Sequence, residues 1–295
     1  MRKHALPHAA LLFALLLLLI TPARAERTLS RPPGTTRYGA LVQQLDNLSN
    51  YDRAHSKRMT LSSLGKSVRG RNLWMVTLGS GPKRLFYLCR LHGHEPASTE
   101  AALAFVTALV KAEDNTPSVG YLQAATVYVV PMANPDGSEA FLRHNAHDAD
   151  LNRDWIKRTQ PETRALYKEI AKLHPDLMTD QHELYPNDTR PDFTEVADTG
   201  SGASQGVITA CLDAQAVVSG AMTAEGFPVV SHTVTDTHPA RLTHRSATAA
   251  RAAWRSTGDR ETACRCLERN KETSLQNRML RAFPPRATGF RSAAP

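Results

Sequence analysis

A chain of 295 residues, 41% hydrophobic and 22% charged, is ample for one large domain with a substantial core. Its formal charge of +8 points at first to nucleic acid or an anionic surface. The distribution excludes that: from His238 onward eleven Arg and one Lys stand against four acids, residues 1–25 are also basic, and the body between is slightly acidic without a basic stripe.

Arg2, Lys3 and His4 form a basic start, Ala9 to Ile20 is apolar throughout, and Ala23-Arg24-Ala25 fits a small-x-small cleavage site. Residues 1–25 therefore predict a secretory signal peptide. An apolar run of about a dozen residues falls short of the ~20 that span a bilayer. The expected location is secreted or periplasmic, with no membrane attachment after cleavage. Export permits disulfides, but spacing does not say whether any of Cys89, Cys211, Cys264 and Cys266 pair.

Apolar positions at helical spacing (Leu41, Val42, Leu45, Leu48) predict a helix over Tyr38 to Asn50. Gly65 to Arg71 reads as a turn-rich hinge into a strand over Leu73 to Leu78. Leu85 to Cys89 is a short, continuously apolar strand, as expected in a sheet covered on both faces. Ser98 to Lys111 has the composition of a helix, and Ala125 to Val130 is the clearest strand, ended by Pro131. Pro161 to Leu173 predicts a helix opening on proline, where a missing N–H costs little. Leu177-Met178 forms a brief strand into Asp180-Gln181-His182, followed by a helix over Gly206 to Ala221 and a strand over Phe227 to Val230. Strands alternating with helices predict a single α/β domain with a mixed, largely parallel central sheet flanked by helices on both faces.

The chemistry concentrates after the strands. His92-x-x-Glu95 directly follows the Leu85 strand, so one turn of loop can aim an imidazole and a carboxylate at one metal ion. Catalytic zinc takes three protein ligands and keeps a fourth position for water. His182, after the Leu177 strand, is placed where an α/β sheet delivers residues to its carboxyl edge. Between them lie Asn134-Pro135-Asp136-Gly137, Arg143, and Asp150-Leu151-Asn152-Arg153-Asp154-Trp155.

With Gly65-Lys66-Ser67-Val68-Arg69-Gly70-Arg71-Asn72-Leu73-Trp74 and Asp180-Gln181-His182, these pieces in this order resemble the zinc carboxypeptidases, the carboxypeptidase A-like metallopeptidases. The resemblance runs from about residue 36 to 185, more weakly to about 235. It implies one zinc per chain, held by His92, Glu95 and His182, with Asp150 supporting His92 from behind. It implies that Arg143 stabilises the oxyanion. Asn152 and Arg153 would grip the terminal carboxylate of a peptide substrate. The implied reaction is hydrolysis of a C-terminal peptide bond by zinc-activated water.

The resemblance stops before one required residue, a general-base glutamate on a late apolar strand. From Thr235 to Pro295 there is no Val or Ile, so no buried strand is expected there. Glu261, Glu268 and Glu272 are base candidates by elimination. The chain accordingly divides into residues 1–25 (signal peptide), 26–236 (zinc carboxypeptidase-like domain) and 237–295 (an Arg/Ala-rich tail). Two readings of the tail stand: a divergent segment, helical around Glu268 to Leu280, or a shift of reading frame near Thr237, which the abrupt change of composition favours. Resequencing the gene across Thr237 decides between them. Two other functions stay open beside the peptidase: an amide hydrolase of related fold acting on acyl-amino acids, and a zinc- or peptide-binding protein without turnover.

Overall fold

The computed structural model of the chain describes residues 31–183, 193–198, 205–224, 226, 229–234 and 268–269. The signal segment 1–25 lies outside them, as does the tail from 237 apart from Glu268–Arg269, with Glu261 and Glu272.

Eight strands build one mixed sheet. They are β1 (Met59–Lys66), β2 (Asn72–Leu78), β3 (Lys83–Cys89), β4 (Ala125–Val130), β5 (Leu177–Glu183), β6 (Phe193–Asp198), β7 (Val229–Val234) and β8 (Glu268–Arg269). Their order is β1-β2-β4-β3-β5-β8-β6-β7. The centre is parallel, with β3 between β4 and β5 and β8 beside β5. The β1–β2 hairpin adds to β4 antiparallel, and β8 meets β6 antiparallel. Helices α1 (Tyr38–Ala54), α2 (Ala97–Val110), α3 (Pro117–Ala124), α4 (Pro135–Ala140), α5 (Pro161–Leu173) and α6 (Gln205–Ala224) complete the elements.

Strand alternation feeds two cores. In β3, Tyr87 and Cys89 join a cluster with Leu41 and Leu45 of α1 and Val106 and Val110 of α2. Phe86 and Leu88 point the other way, into Leu166 and Ile170 of α5 and Trp155. A strand buried on both faces cannot alternate apolar with polar, which is why Leu85 to Cys89 reads as a continuous apolar run. Each side chain sealed this way contributes about 1.5–3 kcal/mol.

The expected helices and strands recur, with three differences. The Gly65 to Arg71 hinge is the tip of a hairpin whose first arm, β1, is Ser- and Thr-bearing and gave no apolar signal. β5 does not stop at Met178 but runs through Glu183, so His182 lies inside the strand. Glu268–Arg269 is a strand pair and not part of a helix. Pairing with the open edge of β5 overrides local propensity there. Cys211, on α6, is buried and disulfide-bonded, whereas Cys89 is buried and free. Among the described residues no helix is long and apolar enough to cross a membrane.

The hairpin tip is pinned by Asp136 of α4. Its carboxylate accepts from Ser67 Oγ at 2.9 Å, Arg69 N at 2.9 Å and Arg71 Nη1 at 2.6 Å. This carboxylate is fully buried, so removing it strands three donors at once. Asp136→Ala is expected to cost roughly 3 kcal/mol, read as a lower urea midpoint at unchanged m-value. A midpoint equal to the parent's would rule out the clamp.

Candidate metal centre

The register of the parallel strands assembles the site. β3 and β5 pair through Cys89 and Gln181, so the loop leaving β3 and the end of β5 emerge side by side at the sheet's carboxyl edge. The first supplies His92 and Glu95, the second His182. A tight turn carries the first pair, with Glu95 N donating to His92 O at 3.2 Å. Gly93 at its apex admits no side chain, because a Cβ there would overlap the carbonyl carbon of Gly137. That close approach lets Gly93 N donate to Arg143 O at 3.3 Å, fastening the Arg143 segment to the turn.

One donor atom each from His92, Glu95 and His182 lie within 4.8 Å of one another, and all three residues are buried. His92 Nδ1 is 2.7 Å from Glu95 Oε1, and His182 Nδ1 is 2.9 Å from Glu95 Oε2. Each imidazole turns its other nitrogen to an aspartate: His92 Nε2 lies 3.3 Å from Asp150 Oδ1, and His182 Nε2 lies 3.2 Å from Asp180 Oδ2. Two Nδ1 atoms and a carboxylate facing one point, with an acidic partner behind each ring, are the donor set and the backing that zinc takes in proteins. The residues fit the ion.

Electrostatics point the same way. Burial alone would raise the Glu95 carboxyl, but His92 and His182 beside it outweigh burial and hold it well below the usual range. Burial would lower His182, but Asp180 and Glu95 push it up to about 10. A metal bound here would have to displace the proton from His182, because an imidazole ligates in its neutral form. Asp150 is lowered against its burial by His92 and by Arg143.

Arg143 and Asn152, also singled out in the sequence, stand beside this centre. Arg143 grips Asp150 through Nε and Nη2, both at 3.0 Å, and its Nη1 is 3.9 Å from Glu95. Asn152, buried in the short 3-10 helix Leu151–Arg153, puts its amide nitrogen 3.3 Å from His182 Nε2. Arg153, on the same turn, is exposed. Of the base candidates only Glu268 falls in a described element, with its Cα opposite that of His182 across β5 and β8. His94 is half-buried, with its ring 6.2 Å from that of His92, but it is not one of the three converging donors. Burial lowers it to about 4.

Sequence reasoning missed two acids. Asp180 backs His182 as Asp150 backs His92; its signal was present as i, i+2 spacing, which puts both side chains on one face of a strand. Glu183 accepts from Ala97 N at 3.1 Å, tying the end of β5 to the start of α2. That bond joins residues 86 apart in the chain, and no local pattern announces it.

Comparison with known proteins finds a matching family model, curated relatives and solved structures of similar fold. Residues 45–173 match the family model for zinc carboxypeptidase. Carboxypeptidase M of Mus musculus is 34% identical over 130 residues, covering 36% of this chain and 29% of that protein. A zinc carboxypeptidase of Saccharothrix mutabilis subsp. capreolus is 28% identical over 142 residues, covering 46% of this chain and 32% of that protein. The chain thus spans about a third of the length of these relatives. In fold it is similar to a metallo-carboxypeptidase from Burkholderia cenocepacia, with a TM-score of 0.61 at 21% identity over 79% of this chain and 59% of that one. It is equally similar to one from Pseudomonas aeruginosa solved with (2-guanidinoethylmercapto)succinic acid, with a TM-score of 0.61 at 20% identity and the same coverage.

If the two aspartates orient the ligands, Asp150→Ala and Asp180→Ala will each weaken Zn²⁺ binding roughly 10–100-fold, measured by competition with a chromophoric chelator. His182→Ala should cost more than either. Equal affinity in all three variants would mean that zinc binds elsewhere.

Proposed function

We propose that this chain, through its zinc carboxypeptidase-family segment at residues 45–173, hydrolyses the C-terminal peptide bond of peptides. The observation that carries this reading is the convergence of His92 Nδ1, His182 Nδ1 and the Glu95 carboxylate beside a fixed guanidinium, Arg143.

His92, Glu95 and His182 would hold the zinc. When bound, the ion lowers the pKa of water and polarises the scissile carbonyl. Arg143 is held by two nitrogens on Asp150, so its free edge is presented without reorganisation to charge developing at the carbonyl oxygen. Asn152 and Arg153 sit on one turn next to His182. A carboxylate bound there would place the last peptide bond, and no earlier one, over the ligands.

The base must remove a proton from water at the site. Among the described carboxylates, Glu95, Asp150 and Asp180 each face an imidazole. Glu268 is the base candidate this proposal puts to the test, because β8 brings its backbone beside His182. Export to a secreted or periplasmic location belongs to the same proposal. It is supported by the basic and apolar segments before Ala25 and by a disulfide at Cys211, a bond that persists in oxidising compartments.

Hydrolysis of a blocked dipeptide with a free C-terminus is expected from the zinc-loaded protein and from no chelated sample. Glu95→Gln should abolish it. Glu268→Gln should lower kcat/KM by about 10²–10⁴ while leaving zinc content unchanged; full activity in that variant would move the base elsewhere. Bound zinc with no turnover in the parent protein would replace the peptidase by a binding protein. The mass of the exported chain should correspond to a start at Glu26, and an intact Met1 in the exported fraction would sink the signal-peptide reading.

A further inference from the structure

Arg90, two residues before His92, is the largest completely buried side chain among the described residues. A guanidinium taken fully out of water needs compensation, and an ion pair is the usual form. Among the described residues Arg90 makes none. Two of its three nitrogens go to main-chain carbonyls instead, Nε to Gly93 O at 3.1 Å and Nη1 to Thr36 O at 2.8 Å, while Nη2 is buried without a hydrogen-bond partner among the described residues.

Both acceptors bear on the metal turn. Gly93 is its apex, between two of the three ligands, and its peptide N–H already donates to Arg143 O. Arg90 therefore holds one side of Gly93 while the Arg143 segment holds the other. Thr36 belongs to the segment before α1 and is itself fixed, since its N and Oγ1 donate to the two carboxylate oxygens of Glu100 on α2 at 2.8 and 2.9 Å. The arm of Arg90 thus runs from an anchored strap to the apex of the ligand turn. Its own backbone stands at φ +54°, a left-handed conformation that most side chains avoid. Arg90 N donates to Ser98 Oγ at 3.0 Å, and Arg90 O accepts from Asn134 N at 3.1 Å, which hold it there. Such a conformation persists only where the surroundings over-determine it.

We propose that Arg90 is a positioning residue that sets the His92–Glu95 turn for metal binding. This rests on the metal reading of the site. It touches neither ligand atoms nor substrate; it acts by fixing the peptide plane of Gly93, and through it the directions of His92 and Glu95.

The test uses the full chain, its Zn²⁺ affinity by chelator competition, and the ligand-field spectrum of the Co²⁺-substituted protein. Arg90→Lys keeps the charge but loses the fork that reaches two carbonyls. Arg90→Gly suits φ +54° better than arginine does, so a loss there comes from the missing side chain and not from backbone strain. Both variants should bind Zn²⁺ roughly 10–100-fold more weakly with altered Co²⁺ bands, and millimolar guanidinium should restore part of the affinity of Arg90→Gly. If one variant fails to fold, the other is read. Parent-like affinity and Co²⁺ spectrum, with or without a lowered Tm, overturn the role of Arg90 while leaving the metal site standing. A parent chain that binds no metal overturns the metal reading, and this inference with it.

Discussion

One buried carboxylate organises this molecule. Glu95 stands between the Nδ1 atoms of His92 and His182, and ionised groups at such depth are tolerated only when every partner is in place. The aspartates behind both rings, the guanidinium of Arg143 against Asp150, and the backbone N–H of Glu183 donating to Glu95 Oε2 at 3.2 Å are consequences of that demand. A half-satisfied version of this cluster would cost more than an apolar core. The surrounding structure is therefore required to be rigid before it is required to be stable.

Rigidity comes from where the cluster sits. Strands hold the residues at their ends more tightly than free loops do, and β3 and β5 are central strands sealed by helices above and below. The loop between β3 and α2 is the less constrained half, and it is restrained by other means. Gly93 packs against Gly137 with no room for a side chain, Glu183 ties Ala97, and Arg90 reaches Gly93 from below. Two of these restraints act on the four-residue turn itself and the third on the start of α2 just after it.

The fold was legible where burial leaves a pattern in the sequence, as an unbroken apolar run where a strand is covered on both faces or as helical periodicity where a helix buries one. Leu85 to Cys89, Ala125 to Val130 and Pro161 to Leu173 are of this kind, and they recur as β3, β4 and α5. β1 was not legible. It is an edge strand with no fully buried position; Met59, Leu61 and Leu64 pack only partly against the two cores, so it carries no unbroken apolar run. Glu268–Arg269 was likewise unreadable, since a two-residue strand exists only through the neighbours that pair with it. In the site, the ligands were legible through their spacing, and Asp150 and Arg143 through the order of motifs. Asp180 was in plain view at i, i+2 from His182, but its role depends on which face of β5 turns toward the centre.

By itself the sequence determined the donor atoms and their grouping: an imidazole and a carboxylate one turn apart after a buried strand, a second imidazole near the end of another, and an acidic and basic segment between. These follow from local chemistry, because spacing along a strand or turn decides which side chains share a direction. Only the tertiary structure decided that His182 closes on Glu95, that each imidazole has an aspartate behind it, and that Arg90 lies under the ligand turn. Those contacts join residues far apart in the chain, or they turn on which face of a strand looks inward. The physical reason is that strand register and the packing of glycine against glycine are properties of the assembled sheet, and no single segment carries them.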